Sequence, residues 1–146
     1  MPTKRKRSFL HRHSLSIASA SILAVWIILY TRSSPNTHIG SFFGNAIADW
    51  TGLVVMVLAT KFMYEKGSME SREPPRHWLH SIWQDHSLTI FLLITGAGWV
   101  TAFALSDPTS KWGQVIGNIV SEWTQILGIV ILTKGLLETH SKESHR

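Results

Sequence analysis

The chain has no cysteine, which removes thiol nucleophiles, thiolate metal sites and redox pairs and leaves eight histidines available. Charge is also scarce. Asp, Glu, Lys and Arg make up 16% of the 146 residues, against about 25% in soluble domains. Together these absences argue against a soluble enzyme, a disordered basic tail and a disulfide-stapled secreted domain. No phosphate-cradling glycine loop, HExxH or GxSxG pattern occurs, so an enzyme has no residues to rest on, and neither enzymatic activity nor a cofactor is expected. What the chain does have is seven Trp and an excess of 14 basic over 9 acidic residues.

A bilayer core about 30 Å thick demands roughly 20 mostly apolar residues per helix. Four stretches qualify, over residues 15–31, 42–63, 88–105 and 115–137. The first is rich in Ser and Ala, and the second and fourth each carry one carboxylate. An all-α integral membrane four-helix bundle is therefore expected.

Basic residues flank these spans unevenly. Lys4, Arg5, Lys6, Arg7 and Arg12 precede the first; Lys61, Lys66, Arg72 and Arg76 fall between the second and third; Lys134, Lys142 and Arg146 close the chain. The two short connections hold only Arg32 and Lys111. Twelve against two predicts both termini in the cytoplasm. The run KRKR then reads as a topology anchor rather than a nucleic-acid signal, and no nucleic-acid partner is expected. No A-x-A site follows Tyr30, so the first span is expected to be retained.

Sliding the sequence by 73 residues aligns its two halves without a gap, with 22 of 73 pairs identical. About 4 to 5 identities are expected from typical composition. Matched pairs include His13/His86, Trp26/Trp99, Pro35/Pro108, Gly44/Gly117, Asn45/Asn118, Trp50/Trp123, Thr60/Thr133, Lys61/Lys134, Glu65/Glu138 and Ser68/Ser141; Asp49 pairs with Glu122. Two tandem two-helix hairpins, 1–73 and 74–146, are the simplest reading. An even number of spans per unit gives both copies the same orientation, a parallel repeat about an axis along the membrane normal. Matched positions should then face each other across that axis or occupy equivalent points around it. Before the third span, Trp78, Leu79, Ile82 and Trp83 recur at helical spacing behind Pro74 and Pro75, as an interfacial helix requires.

Asp49 and Glu122 are the candidate functional residues, because intramembrane carboxylates are costly and face the bundle interior or a wet cavity. Lys61 and Lys134 lie 12 residues away, about 18 Å at 1.5 Å per residue. If the lysines mark the cytoplasmic edge, the acids sit slightly beyond the midplane. Helical spacing puts Asn45, Asp49, Met56 and Thr60 on one stripe and Asn118, Glu122, Ile129 and Thr133 on the other, with Gln125 adjacent. Three readings stand side by side: interhelical hydrogen bonds that hold the bundle together, a proton- or cation-handling pair, and caps of shorter helices beside Trp50 and Trp123 at the outer interface. Trp26 and Trp99 fall near the carboxylate level, as aromatic packing or as a cation-binding wall. His13 and His86 sit at helix starts, where an interfacial role outweighs a metal or haem pair; no metal is expected. The spacings Lys61/Glu65 and Lys134/Glu138 read as i, i+4 surface pairs of little energetic weight.

The string NIVSEWTQ from Asn118 to Gln125 and KGSMES from Lys66 to Ser71 resemble an uncharacterised family of small bacterial membrane proteins, with an N-x-x-S-E-aromatic-x-Q helix and a G-S-x-E-S tail. The first copy departs from the pattern at Ala48, Asp49, Trp50 and Gly52, and the second has His140 before Ser141. The resemblance implies residence in the bacterial inner membrane and adds no catalytic residue. Expected partners are therefore the lipid bilayer and either a second copy or another membrane protein. The leading function is a structural or accessory one, and the alternative is a small proton or cation channel or transporter.

Overall fold

A computed structural model describes residues 9–72 and 82–136. Among them all regular structure is helical: α1 (Phe9–Arg12), α2 (Ser14–Arg32), α3 (His38–Phe62), α4 (Ile82–Asp85), α5 (Ser87–Leu105) and α6 (Lys111–Leu132). Helices α2, α3, α5 and α6 have 19, 25, 19 and 22 residues with mean hydropathy between 1.6 and 2.0, long and apolar enough to cross a membrane. The starts of α1, α2 and α3 recur 73 residues later in α4, α5 and α6, as do the ends of α1 and α2.

Local chemistry sets the helix boundaries. Helices α2 and α5 stop at Ser33 and Ser106, which are extended and lead into Pro35 and Pro108. Thr37 and Ser110 then cap α3 and α6, their hydroxyls accepting from the amides of Gly40 and Gly113 at 3.0 Å. Each connection folds so tightly over the new helix that a Cβ at Gly40 or Gly113 would lie 1.8 or 1.9 Å from a loop carbonyl oxygen. Only glycine fits there. These caps start α3 and α6 four residues before the expected positions 42 and 115. At its far end α6 stops at Leu132 rather than 137, because Thr133 to Gly135 turn the chain. The expected interfacial helix is represented by α4 alone, with Ile82 and Trp83 exposed; Trp78 and Leu79 lie outside the described residues.

Helix α2 packs on α3, α3 on α6 and α6 on α5. The central contact between α3 and α6 is the seam of the bundle, and α2 and α5 are its flanks. Burial follows this order: 33% and 28% of the apolar windows of α3 and α6 are buried, against 11% in each flank. The core along the seam includes Ile47, Ala48, Ile119, Ile126 and Val130, joined by Leu88 and Leu92 from α5. Flank side chains such as Val25, Ile28, Ile94 and Val100 point away from it, as lipid-facing residues do when the solvent is hydrocarbon. At the end with the short connections, the Tyr30 hydroxyl donates to the Lys111 carbonyl at 2.6 Å, and Lys111 Nζ donates to the carbonyls of Ser33 and Thr31. Gly44 and Gly117 admit the rings of Tyr30 and Phe103.

Candidate functional site

The seam places the expected polar stripes of α3 and α6 against each other. Asn118 Nδ2 donates to Asn45 Oδ1 at 2.6 Å, a contact between residues 73 apart. One turn further along, Asp49 and Glu122 line a cavity of about 190 Å³ with Asn45, Asn118, Ser121 and Gln125. That volume is room for several water molecules at about 30 Å³ each. The same two acids line a second space of about 330 Å³ that continues past Gly52, Leu53 and Met56 to Glu70. The two spaces form a groove along the seam, polar around Asn45, Asn118 and the acids and apolar beyond them. Asp49 and Gln125 are exposed at its side and Glu122 is half-buried. Neither acid has a hydrogen-bond partner among the described residues.

Gly52 makes room for Glu122. A Cβ there would come within 2.8 Å of Glu122 Cγ and Oε1 and of Ile126 Cδ1. The repeat-matched position in α6 is Gln125, so the groove takes its polar amide from one helix and its space from the other.

The other expected members of the stripe lie elsewhere. Thr60 bonds the Met56 carbonyl of its own helix at 2.6 Å, and Thr133 is buried against Ser68 at 3.1 Å. Both belong to the basic end of the bundle, two or three turns from the acids. The tryptophans pack on other rings: Trp26 against Phe42 and Phe43 at 5.7 and 5.8 Å, and Trp99 against Trp123 at 5.9 Å. Trp123 is buried and donates Nε1 to Thr95 Oγ1 at 3.0 Å, whereas Trp50 is half-buried on α3. None of the four lines the acidic cavities among the residues described.

A second polar centre, absent from the expected site, sits at the basic end. The chain leaves α3 at Phe62 and crosses as a strap, residues 63–71, onto α5 and α6. Glu65 in this strap is fully buried. Its Oε1 accepts from His86 Nδ1 at 2.6 Å and pairs with Lys134 Nζ, while Oε2 accepts from the Thr89 amide at 2.9 Å. The strap is fastened along its length: the Leu88 amide donates to the Tyr64 carbonyl at 3.1 Å, the Lys66 amide to the Asp85 carbonyl at 2.8 Å, and the Met69 amide to Thr133 Oγ1 at 3.3 Å. Gly67, at φ +80°, turns it back.

Glu65 thus caps α5 from a distance, because its carboxylate and the Tyr64 carbonyl satisfy first-turn amides that have no partner inside the helix. Burial pushes its carboxyl up, but the bonds from Lys134, Thr89 and His86 outweigh that and hold it below the ordinary carboxylate range. The reading of Lys61/Glu65 as an i, i+4 surface pair is corrected here. Helix α3 ends before Glu65, which turns inward to the second half of the chain, and Lys61 Nζ instead meets His13 Nδ1 at 3.3 Å. Lys134 likewise lies beyond α6 and faces Glu65; Glu138 lies outside the described residues. The sequence signal for the strap was present in KGSMES, where glycine and two serines follow a helix end in a turn-forming pattern.

The structure therefore offers a water-sized acidic groove in the middle of the seam and a clamped carboxylate at the basic end. Comparison of the chain with protein-family profiles, curated proteins and solved structures finds no match.

Proposed function

We propose that the protein is a structural or accessory protein of the bacterial inner membrane, and that its seam groove is the face through which it assembles with another membrane segment. The observation that carries this reading is the side-open groove holding Asp49 and Glu122 without hydrogen-bond partners among the described residues. A charged residue at the bilayer centre costs about 2.5 to 3.5 kcal/mol on insertion scales. Covering the groove with a polar surface removes that cost; leaving it against lipid does not. A second copy is the cover this reading adopts, with the Gln125 amide and Ser121 hydroxyl at the groove of one copy available to donate to the acids of the other.

Two tandem hairpins, 1–73 and 74–146, in parallel orientation support the same account. The 22 identities, the matched helix starts and the contact between Asn45 and Asn118 are what two copies around an axis through the seam produce. Because twelve of fourteen basic residues precede the first span, fall between the second and third or follow the fourth in sequence, that side and both termini belong in the cytoplasm. The Asn pair then locks the seam from within, and the acids face outward from it.

A second reading, a proton or cation path, is favoured by one feature: the space that the two acids line reaches Glu70 towards the basic end, between apolar walls of Leu53, Met56, Ile126 and Ile129. Flux in proteoliposomes across several pH values separates the two. Wild type is expected to show no proton or cation flux, and Asp49→Asn and Glu122→Gln to alter oligomer formation while remaining folded. Flux in wild type that disappears in the folded variants would overturn the assembly reading in favour of transport.

A further inference from the structure

The basic end contains a further cavity, of about 690 Å³. Three walls meet there. The start of α2 brings His13 and Ser16, the end of α3 brings Lys61, and the trailing part of the strap brings Glu70 and Ser71, with Arg72 just after it. Lys61 and Arg72 are exposed, and the other four are half-buried. The lining sets two permanent cations against one carboxylate. That carboxylate does not neutralise them: Glu70 pairs with neither, Lys61 Nζ stands 3.3 Å from His13 Nδ1, and the Arg72 guanidinium has no partner among the described residues.

The second hairpin shows what such a set of groups does. His13, Leu15, Ser16 and Lys61 match His86, Leu88, Thr89 and Lys134 at the 73-residue offset. Those four positions bind a carboxylate and the carbonyl beside it. His86 Nδ1 and Lys134 Nζ meet Glu65 Oε1, the Thr89 amide donates to Oε2 at 2.9 Å, and the Leu88 amide donates to the Tyr64 carbonyl at 3.1 Å. In the first hairpin the amides of Leu15 and Ser16 have no acceptor among the described residues, and neither has the Ser16 hydroxyl. The repeat therefore presents to this cavity the donors that hold an anion in the other half of the chain.

The added donors select a phosphate over a second carboxylate. Arg72 contributes a planar fork of N–H groups, which matches phosphate oxygens and has no counterpart among the groups that hold Glu65. Donors approach from all three walls, and a tetrahedral phosphate offers oxygens in three dimensions where a carboxylate offers them in a plane. Leu15, Val57 and Met69 give the cavity an apolar side. We propose that the cavity binds a phosphate group through Lys61, Arg72, the Ser16 hydroxyl and the first-turn amides of α2. A phospholipid headgroup and a free phosphate share this chemistry; the apolar side, and the position at the ends of two helices long enough to cross a membrane, suit the lipid. The site is separate from the seam groove, and the proposal does not depend on what that groove binds.

Thermal unfolding of the full chain in detergent, titrated with short-chain phosphatidylglycerol and separately with inorganic phosphate, tests this. Saturable stabilisation is expected, and the probe identifies the source: a response to phosphatidylglycerol alone marks a headgroup site, and a response to inorganic phosphate marks a site for the free ion. Lys61→Gln and Arg72→Gln are each expected to weaken binding about tenfold, as loss of one hydrogen bond to a charged group does. They sit on different walls, so a folding defect in one leaves the other to decide. Lys66→Gln is the control and is expected to leave the affinity unchanged, since Lys66 is exposed at the same end and does not line the cavity. No saturable stabilisation by either probe would overturn the proposal. Equal stabilisation of wild type and both folded variants would also overturn it, because lipid that merely solvates the bundle behaves that way. A loss with Lys66→Gln as large as with Lys61→Gln would overturn it too, assigning the effect to a diffuse basic surface.

Discussion

Among single residues, Glu65 carries the largest structural consequence. Replacing it by alanine leaves Lys134, His86 and the Thr89 amide facing an apolar gap, at a cost of about 2 to 3 kcal/mol, since loss of one partner strands the others. Thermal unfolding in detergent is expected to show this as a lowered midpoint. The pH dependence has a definite sign. A carboxyl whose folded pKa is depressed contributes stability that is complete above the unfolded value, about 4.3, and is lost as pH falls through the folded value. Wild type is expected to lose stability on acidification below about pH 5, and Glu65→Gln to lose less of it over the same range. Glycines separate in the same measurement. Gly52→Ala meets Glu122 and Ile126 at 2.8 Å and is expected to destabilise by about 1 to 2 kcal/mol, whereas Gly128→Ala meets nothing within 4 Å and is expected to be neutral or slightly stabilising. At this scale the sequence revealed Asp49 and Glu122, because a carboxylate in an apolar run stands out. It concealed Glu65, because four-residue spacing from Lys61 imitates a helical surface pair and only the helix end at Phe62 shows otherwise.

Between elements, the seam is the contact that decides the arrangement. Its direct side-chain bond is the one from Asn118 to Asn45, and interhelical bonds of this type are worth about 0.6 kcal/mol in membranes, up to about 1.7. Asn118→Ala is expected to lower stability within that range, with Asn45→Ala additional to it by much less than its own single effect, since both remove the same bond. A fully additive double variant would show that the two asparagines act independently. The four helices were legible from hydropathy because length and apolarity alone satisfy the bilayer. Their starts were less so: Thr37 and Ser110 begin α3 and α6 on polar residues that a hydropathy threshold discards, yet a hydroxyl three residues before glycine is a capping signal. Which helices meet was not legible, because lipid-facing and buried faces are equally apolar. The repeat supplied the missing information for one contact only, the matched Asn pair.

For the whole molecule, the account divides labour between two regions. The basic end is fastened by a strap that ties the first hairpin to the second, and the middle of the seam presents an acidic groove whose side lies open. The strap was invisible to periodicity because it is neither helix nor span, and its contacts join residues more than 20 positions apart. The groove was foreseeable in composition but not in shape, since Gly52 opposite Glu122 creates it and the matched position holds glutamine. The central claim is that this groove is covered by a second membrane segment, with another copy of the chain as the cover. Single cysteines placed in native membranes test it most directly, one at Leu53 on the groove and one at Ile94 on the exposed face of α5. The account predicts chain-to-chain crosslinking for Leu53→Cys and none for Ile94→Cys. A Leu53→Cys variant that stays monomeric, or that crosslinks no better than Ile94→Cys, would contradict it.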